Sequence, residues 1–266
     1  MLIAWNVTMK VKRAESLKIC LEKLSEKPYA SILCYPTPSK KELRNRLKQL
    51  QRLGIDALEF SGAKQAFNVA VFGKGCVGVV TIAYRTEEKL AVKIRRLDAD
   101  RSRMQGEAKL MKMANSVGVG PKLLGTSKDF LLMQFIDGQL LPEWLGRKTS
   151  KARIRKVLGK VLEQCWRLDM AGLDHGELSH APKHLIVDKK DEVFIVDFEA
   201  ASVNRKTSNV TSICQYLFIS GLAKQVAAKL GRKKKKVLVG VLRQYKRTKN
   251  RENFEKVLEA CGVHAM

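Results

Sequence analysis

Apolar and polar positions change period more than once along this 266-residue chain. Over residues 39–53, Leu43, Leu47, Leu50 and Leu53 recur at three- and four-residue spacing, which predicts an amphipathic helix capped by Ser39 and stopped at Gly54. The run Ala30–Cys34 before it reads as a short strand, ended by Pro36 and Pro38. Residues 1–60 together read as an N-terminal extension with no assigned role. From Ala57 the pattern turns to short β-rich pieces, Ala57–Phe60, Ala70–Phe72, Val77–Tyr84 and Lys89–Ile94, separated by glycine-containing or charged turns, and this predicts an antiparallel sheet. Helical period returns over 100–115, where Met104, Ala108, Met111 and Ala114 share a stripe and Asp98 or Asp100 would cap it. Lys122–Gly125 and Phe130–Met133 predict a further strand pair, followed by Gln134–Gly138. Helices then follow at about 151–171, 209–231, 234–247 and 251–261, interrupted by a hairpin of Leu185–Val187 and Val193–Val196. No internal repeat is evident, and the order predicts an α+β chain with a sheet-rich part over 61–137 and a mainly helical part over 138–266.

With 45% hydrophobic residues the chain can bury a sizeable core, which excludes a disordered protein. Cys20, Cys34, Cys76, Cys165, Cys214 and Cys261 are scattered and include no C-x-x-C, so reduced thiols are expected rather than a zinc site or a disulfide framework. The apolar start Met1–Val7 is too short for a signal peptide, and no run approaches the ~18 residues of a membrane span. A cytoplasmic protein with no membrane partner is the expectation. Charge changes the picture more: 51 Lys and Arg against 26 Asp and Glu leave +25. Residues 231–251 hold ten Lys or Arg and no acid, while Leu238, Val241, Leu242 and Tyr245 fall on one helical face. Further basic clusters at 40–52, 95–103 and 148–160 make the excess global and point to RNA or a ribonucleoprotein as a partner, although no RNP1 or KH signature accompanies them.

The candidate chemistry begins at Gly73–Val80, G-K-G-C-V-G-V-V. Glycines let backbone amides approach phosphates because no Cβ intervenes and positive φ is tolerated. A hairpin whose glycines serve only the turn is the bland alternative; a Rossmann unit is the other, but its motif opens a helix, whereas this one continues into a strand. Lys93, in Leu90–Ile94, follows on the next strand. Glu107 lies at the edge of the apolar stripe of the next helix, where a buried carboxylate needs a cation, and Lys93 is the natural one. Further on come His175-Gly-Glu-Leu-Ser-His-Ala-Pro-Lys-His184 and Asp197-Phe-Glu199.

These ordered motifs resemble those of the archaeal group of predicted, atypical serine/threonine protein kinases related to RIO-type and KEOPS-complex kinases; H-G-E-L-S is similar to their H-x-D-L-S catalytic loop and V-D-F-E to their D-F-G strand end. The resemblance covers roughly residues 57–220. It implies a two-lobed kinase-like fold with ATP and Mg²⁺ in the cleft, and a protein substrate with a Ser or Thr acceptor. Gly73, Lys74, Gly75, Cys76, Val77, Gly78 and Val80 would cover the nucleotide, with Gln134 and Ile136 at the hinge; Lys93 would bridge the phosphates with Glu107 behind it. Asp197 would ligate the metal and Glu177 would stand where these kinases carry the catalytic Asp. His175 would tie the loop to the Asp197 strand. Two departures matter: Pro182 replaces the metal-binding Asn, with His184 its nearest counterpart, and Glu199 replaces the D-F-G glycine. Lys183 reads equally as a solvated cation or as a stabiliser of the transferred phosphoryl group; His180 reads as a surface residue and Ser179 as a loop hydrogen-bonder. Beside the kinase stand an ATP-dependent switch on RNA or a ribonucleoprotein, and a pseudokinase scaffold.

Overall fold

Apolar runs between residues 17 and 134 build a seven-stranded antiparallel sheet in a computed structural model, which describes residues 17–62 and 64–263. The start Met1–Val7 lies outside the described residues. The chain divides into two compact units, residues 1–112 with 121–137, and residues 113–120 with 138–266.

The first unit runs β1 (Leu17–Cys20), α1 (Tyr29–Leu33), α2 (Lys40–Arg52), β2 (Ala57–Phe60), β3 (Lys64–Ala66), β4 (Val69–Val71), β5 (Gly73–Lys74), β6 (Gly78–Arg85), β7 (Glu88–Arg95), most of α3 (Arg101–Ser116), β8 (Leu123–Thr126) and β9 (Phe130–Gln134). The sheet order is β1-β2-β6-β7-β9-β8, with β5 hydrogen-bonded to β6 and with β3–β4 a separate hairpin. β7 and β9 are inner strands buried on both faces, which is why Leu90–Val92 and Phe130–Met133 are continuous apolar runs rather than alternating ones. Residues 17–60, expected as an extension, put two strands and two helices into this unit: Ile19, Leu24, Ile32, Leu33, Leu50 and Leu58 share a core with Val92 and Phe130. Ser39 caps α2 as predicted, its Oγ accepting the Glu42 amide at 3.5 Å, and Gly54 ends the helix at φ +71°.

Ala30–Cys34 is a correction: it folds as α1, not as a strand. Pro28 presets a helical φ of −86° at the helix start, and local bonds then close, Ala30 N to Glu26 O at 2.9 Å and Cys34 N to Ala30 O at 3.1 Å. Ala30, Ser31, Ile32 and Leu33 are all buried, so the run carries no period by which helix and strand could be told apart.

The second unit contains β10 (Gly138–Leu140), α4 (Leu141–Gly146), α5 (Lys151–Met170), β11 (Leu185–Asp188), β12 (Val193–Ile195), α6 (Asn209–Cys214), α7 (Ala223–Leu230), α8 (Lys235–Arg247) and α9 (Arg251–Cys261). β10, β11 and β12 form a small antiparallel sheet on an otherwise helical body. The expected helix over 209–231 is also corrected: it is α6, a π-helical turn Gln215–Ile219, a break, and α7. Gly221 makes the break, since a Cβ there would meet the Tyr216 ring at 2.2 Å. On α8, Leu238, Leu242 and Tyr245 are buried and the cations face outward. The class is α+β, an antiparallel sheet towards the N-terminus and a mainly helical C-terminal part, as a two-lobed kinase-like fold requires.

Candidate active site

In the first unit the glycine turn joins β5 to β6, and Gly73 and Lys74 pair with Val80 and Val79. The Gly75 amide donates to the Gly78 carbonyl at 2.9 Å, so it is engaged within the turn, while Cys76 stands exposed near the tip. Left-handed φ is not what these glycines supply: Gly73, Gly75 and Gly78 are absent from the positive-φ residues. Gly78 instead allows close approach, because a Cβ there would stand 2.8 Å from Ile94 O and 3.0 Å from Lys93 Cγ. The lysine stem lies against the turn. Lys93 sits opposite Val80 in the sheet, and its Nζ meets Glu107 Oε2 at 2.6 Å with the two side chains 1% and 5% exposed. Val77, Val80 and Ile136 are buried, and half-buried Gln134 accepts the Lys122 amide at 3.3 Å.

Sequence reasoning missed the residues that brace this turn. Arg96 donates its backbone amide to Val77 O at 2.8 Å and its guanidinium to Gly75 O at 3.2 Å, and it stacks 5.0 Å from the Tyr35 ring, over which Lys74 Nζ also lies at 4.7 Å. Nor was the buried knot beneath it visible: Asp129 receives Arg95 at 2.6 Å, Arg46 at 3.3 Å and Gln49 at 2.7 Å. Burial pushes Asp129 up, yet the bonds from Gln49 and the two guanidiniums prevail and hold it below the usual carboxylate range. Only the concentration of cations near residues 40–52 and 95–103 signalled this, and it read as surface.

In the second unit, Glu177, His184 and Asp197 offer ligand atoms that all lie within 4.8 Å of one another. One backbone residue assembles them. Val196 donates its N–H to His184 O at 3.0 Å and its carbonyl accepts from His175 Nε2 at 3.1 Å, so the strand end carrying Asp197 is tied to both loop histidines. Asp197 itself has φ +70°, a conformation rare for a residue with a Cβ. Gly176 (φ +88°) sets up Glu177; a Cβ there would strike the Arg205 guanidinium at 2.4 Å and Ala200 O at 2.8 Å. Arg205 in turn holds Asp174 at 3.0 Å.

Burial lowers His175 to about 3, with the neighbouring His184 adding to the effect, and lowers His184 to about 4, where Lys183 also contributes. Both imidazoles are therefore neutral at pH 7, and the 3.7 Å approach of His184 Nε2 to Glu177 Oε2 is not an ion pair. Glu177 is raised, by burial first and then by Glu199. Neither ring nitrogen of the fully buried His184 has a hydrogen-bond partner. Two carboxylates and a neutral imidazole fit a divalent cation. Lys183 is half-buried, whereas Ser179 and His180 are exposed.

Among curated proteins, the uncharacterized protein MJ1211 of Methanocaldococcus jannaschii is 34% identical to this chain over 99 residues, 37% of this chain and 83% of that protein. The EKC/KEOPS complex subunit BUD32 of Encephalitozoon cuniculi is 23% identical over 130 residues, 48% of this chain and 62% of that protein. No protein-family model matches the chain.

Proposed function

The chain belongs to the family of the uncharacterized protein MJ1211 of Methanocaldococcus jannaschii, and we propose that it is a kinase-like enzyme that uses ATP with Mg²⁺ to phosphorylate a Ser or Thr hydroxyl of a protein. The distant likeness to a KEOPS-complex subunit supports a kinase-like or ATPase-type activity. The observation that carries the reading is the buried Lys93–Glu107 pair at 2.6 Å. Desolvating both charges makes such a pair a poor device for stability. An ammonium held against a glycine turn is, however, what phosphate recognition needs.

Residues 61–137, with the strands and helices of 17–60 packed into the same unit, act as the N-lobe and 138–266 as the C-lobe of a cytoplasmic protein. Lys93 and the glycine turn Gly73–Gly78 bind the phosphates, although the Gly75 amide is taken up within the turn; Gln134 and Ile136 border the base, and Glu107 fixes the ammonium. Asp197, with His184 beside it, would hold the metal, which would supply neutralisation of phosphate charge. Glu177 orients the acceptor hydroxyl and takes its proton as the oxygen bonds to the γ-phosphorus and the bridging P–O bond to ADP breaks; its raised pKa suits a base. Lys183 offsets charge on the transferred group.

The net charge of +25 favours a second reading, in which ATP binding or slow hydrolysis switches association with RNA or a ribonucleoprotein. Incubation with γ-labelled ATP and Mg²⁺ separates the two: label on protein is expected for the kinase, and RNA-stimulated release of free phosphate for the switch. Neither outcome would leave a scaffold and overturn both. Lys93→Ala and Asp197→Ala should abolish nucleotide binding, and unchanged affinity would remove the site. Glu177→Ala should lower turnover by about 10²–10⁴-fold.

A further inference from the structure

We propose that the Glu177–His184–Asp197 centre prefers a borderline transition-metal ion, of the class of Mn²⁺, Co²⁺ or Zn²⁺, over Mg²⁺, and that His184 sets this preference. The inference rests on the same site as the phosphotransfer reading but needs no nucleotide. His184 is 0% exposed and neither of its ring nitrogens has a hydrogen-bond partner, although its Nε2 lies 3.7 Å from Glu177 Oε2 and within the cluster that contains Asp197. A buried ring nitrogen that makes no close hydrogen bond carries a desolvation cost that a bound cation would reduce.

The donor set then decides which cation. Mg²⁺ is a hard ion that takes oxygen ligands and keeps several waters, so an imidazole adds little to its binding. Mn²⁺, Co²⁺ and Zn²⁺ accept imidazole alongside carboxylate oxygen, and their affinity for a mixed N/O site rises in the order Mn²⁺ < Co²⁺. Geometry permits the closure. Ligands at ~2.2 Å from one ion stand about 4.4 Å apart when trans and about 3.1–3.6 Å apart in cis or tetrahedral positions, so the present spread of up to 4.8 Å must contract by roughly 0.4–1.7 Å. Asp197 and His184 are held in register by the Val196 amide, while Glu177, 26% exposed, has room to adjust. Its second oxygen remains for an acceptor.

The test uses the full chain freed of metal with a chelator. Pulsed EPR of the Mn²⁺-loaded protein reads the ligand directly, without a substitution at a buried position: coupling to a bonded imidazole nitrogen is expected, and its absence overturns the proposal. Calorimetric titration should give Co²⁺ at least about tenfold tighter than Mg²⁺; equal or tighter Mg²⁺ binding overturns it. His184→Asn, checked for folding by circular dichroism, should lose the nitrogen coupling and about tenfold in Co²⁺ affinity, a larger loss than it causes for Mg²⁺; an equal loss for both ions overturns the proposal. Glu177→Gln should weaken both metals, and no effect on either would remove Glu177 from the set. ATP binding is followed separately with the nucleotide as probe, so loss of the phosphotransfer reading leaves the metal result standing, and the reverse.

Discussion

His175 and His184 carry a prediction that belongs to the residue scale. Their folded-state values, about 3 and about 4, lie below the ordinary 6.5. On acidification the unfolded chain therefore takes up two protons that the folded chain refuses, so stability falls as pH drops from about 6.5 towards 4. Between pH 7 and 5 each histidine should remove about 2 kcal/mol. Glu177, raised in the fold, acts in the opposite sense below its own folded pKa and offsets part of the loss there. Urea denaturation at the two pH values measures this, and His175→Asn should roughly halve the difference if it folds; a pH-independent midpoint would mean the imidazoles are not desolvated. The sequence showed these two histidines in one loop, and the resemblance implied the tie from His175 to the Asp197 strand. It did not show that His184 is wholly buried beside Glu177, because that depends on where β12 ends relative to the loop, with Val196 pinned at both backbone groups.

At the scale of elements, two glycines predict opposite outcomes. Gly240 lies exposed within α8 with nothing within 4 Å of an added Cβ, so Gly240→Ala should stabilise by about 0.5–1 kcal/mol through lower backbone entropy in the unfolded chain. Gly221→Ala forces a methyl towards the Tyr216 ring and should cost about 1–3 kcal/mol. Chemical denaturation of the two variants checks both signs. Most elements were legible for a local reason. Leu43, Leu47 and Leu50 announce α2, and Ser39 caps it as its type predicts; Ala57–Phe60 is a strand with the bounds its composition suggests. The failures share a cause as well. Ala30–Cys34 is buried all round and lost its period, and the break after Ile219 rests on one glycine whose partner ring lies five residues away. β3 and β4 are joined by Phe67 and Asn68, both at positive φ, a turn that Phe67 does not advertise.

At the scale of the molecule, charge is the dominant feature. Lys234, Lys235 and Lys236 are exposed on a segment whose other face is anchored by Tyr245, which donates to buried Asp169 at 2.9 Å. If the basic surface binds single-stranded RNA, log affinity should fall with log salt by about 0.7 per phosphate neutralised. Reversing these three lysines to Glu should then shrink the slope by about 2; filter binding to a uridine homopolymer over a salt series reads it, and an unchanged slope would place the contact elsewhere. Among the described residues no helix is long and apolar enough to cross a membrane.

What the amino-acid order determined by itself is what short-range physics controls: the kinds of elements, the glycine turn entering a strand, a lysine on the next strand, a glutamate on the next helix, and the excess of cations. Tertiary structure alone decided which distant groups meet. It enrolled β1 and β2 in the sheet, closed Arg46 and Arg95 on Asp129 across 83 and 34 residues of chain, and brought Glu177, His184 and Asp197 within 4.8 Å. Such meetings depend on strand register and on the desolvation of charges by partners remote in the chain, and neither quantity is written in any local window of residues.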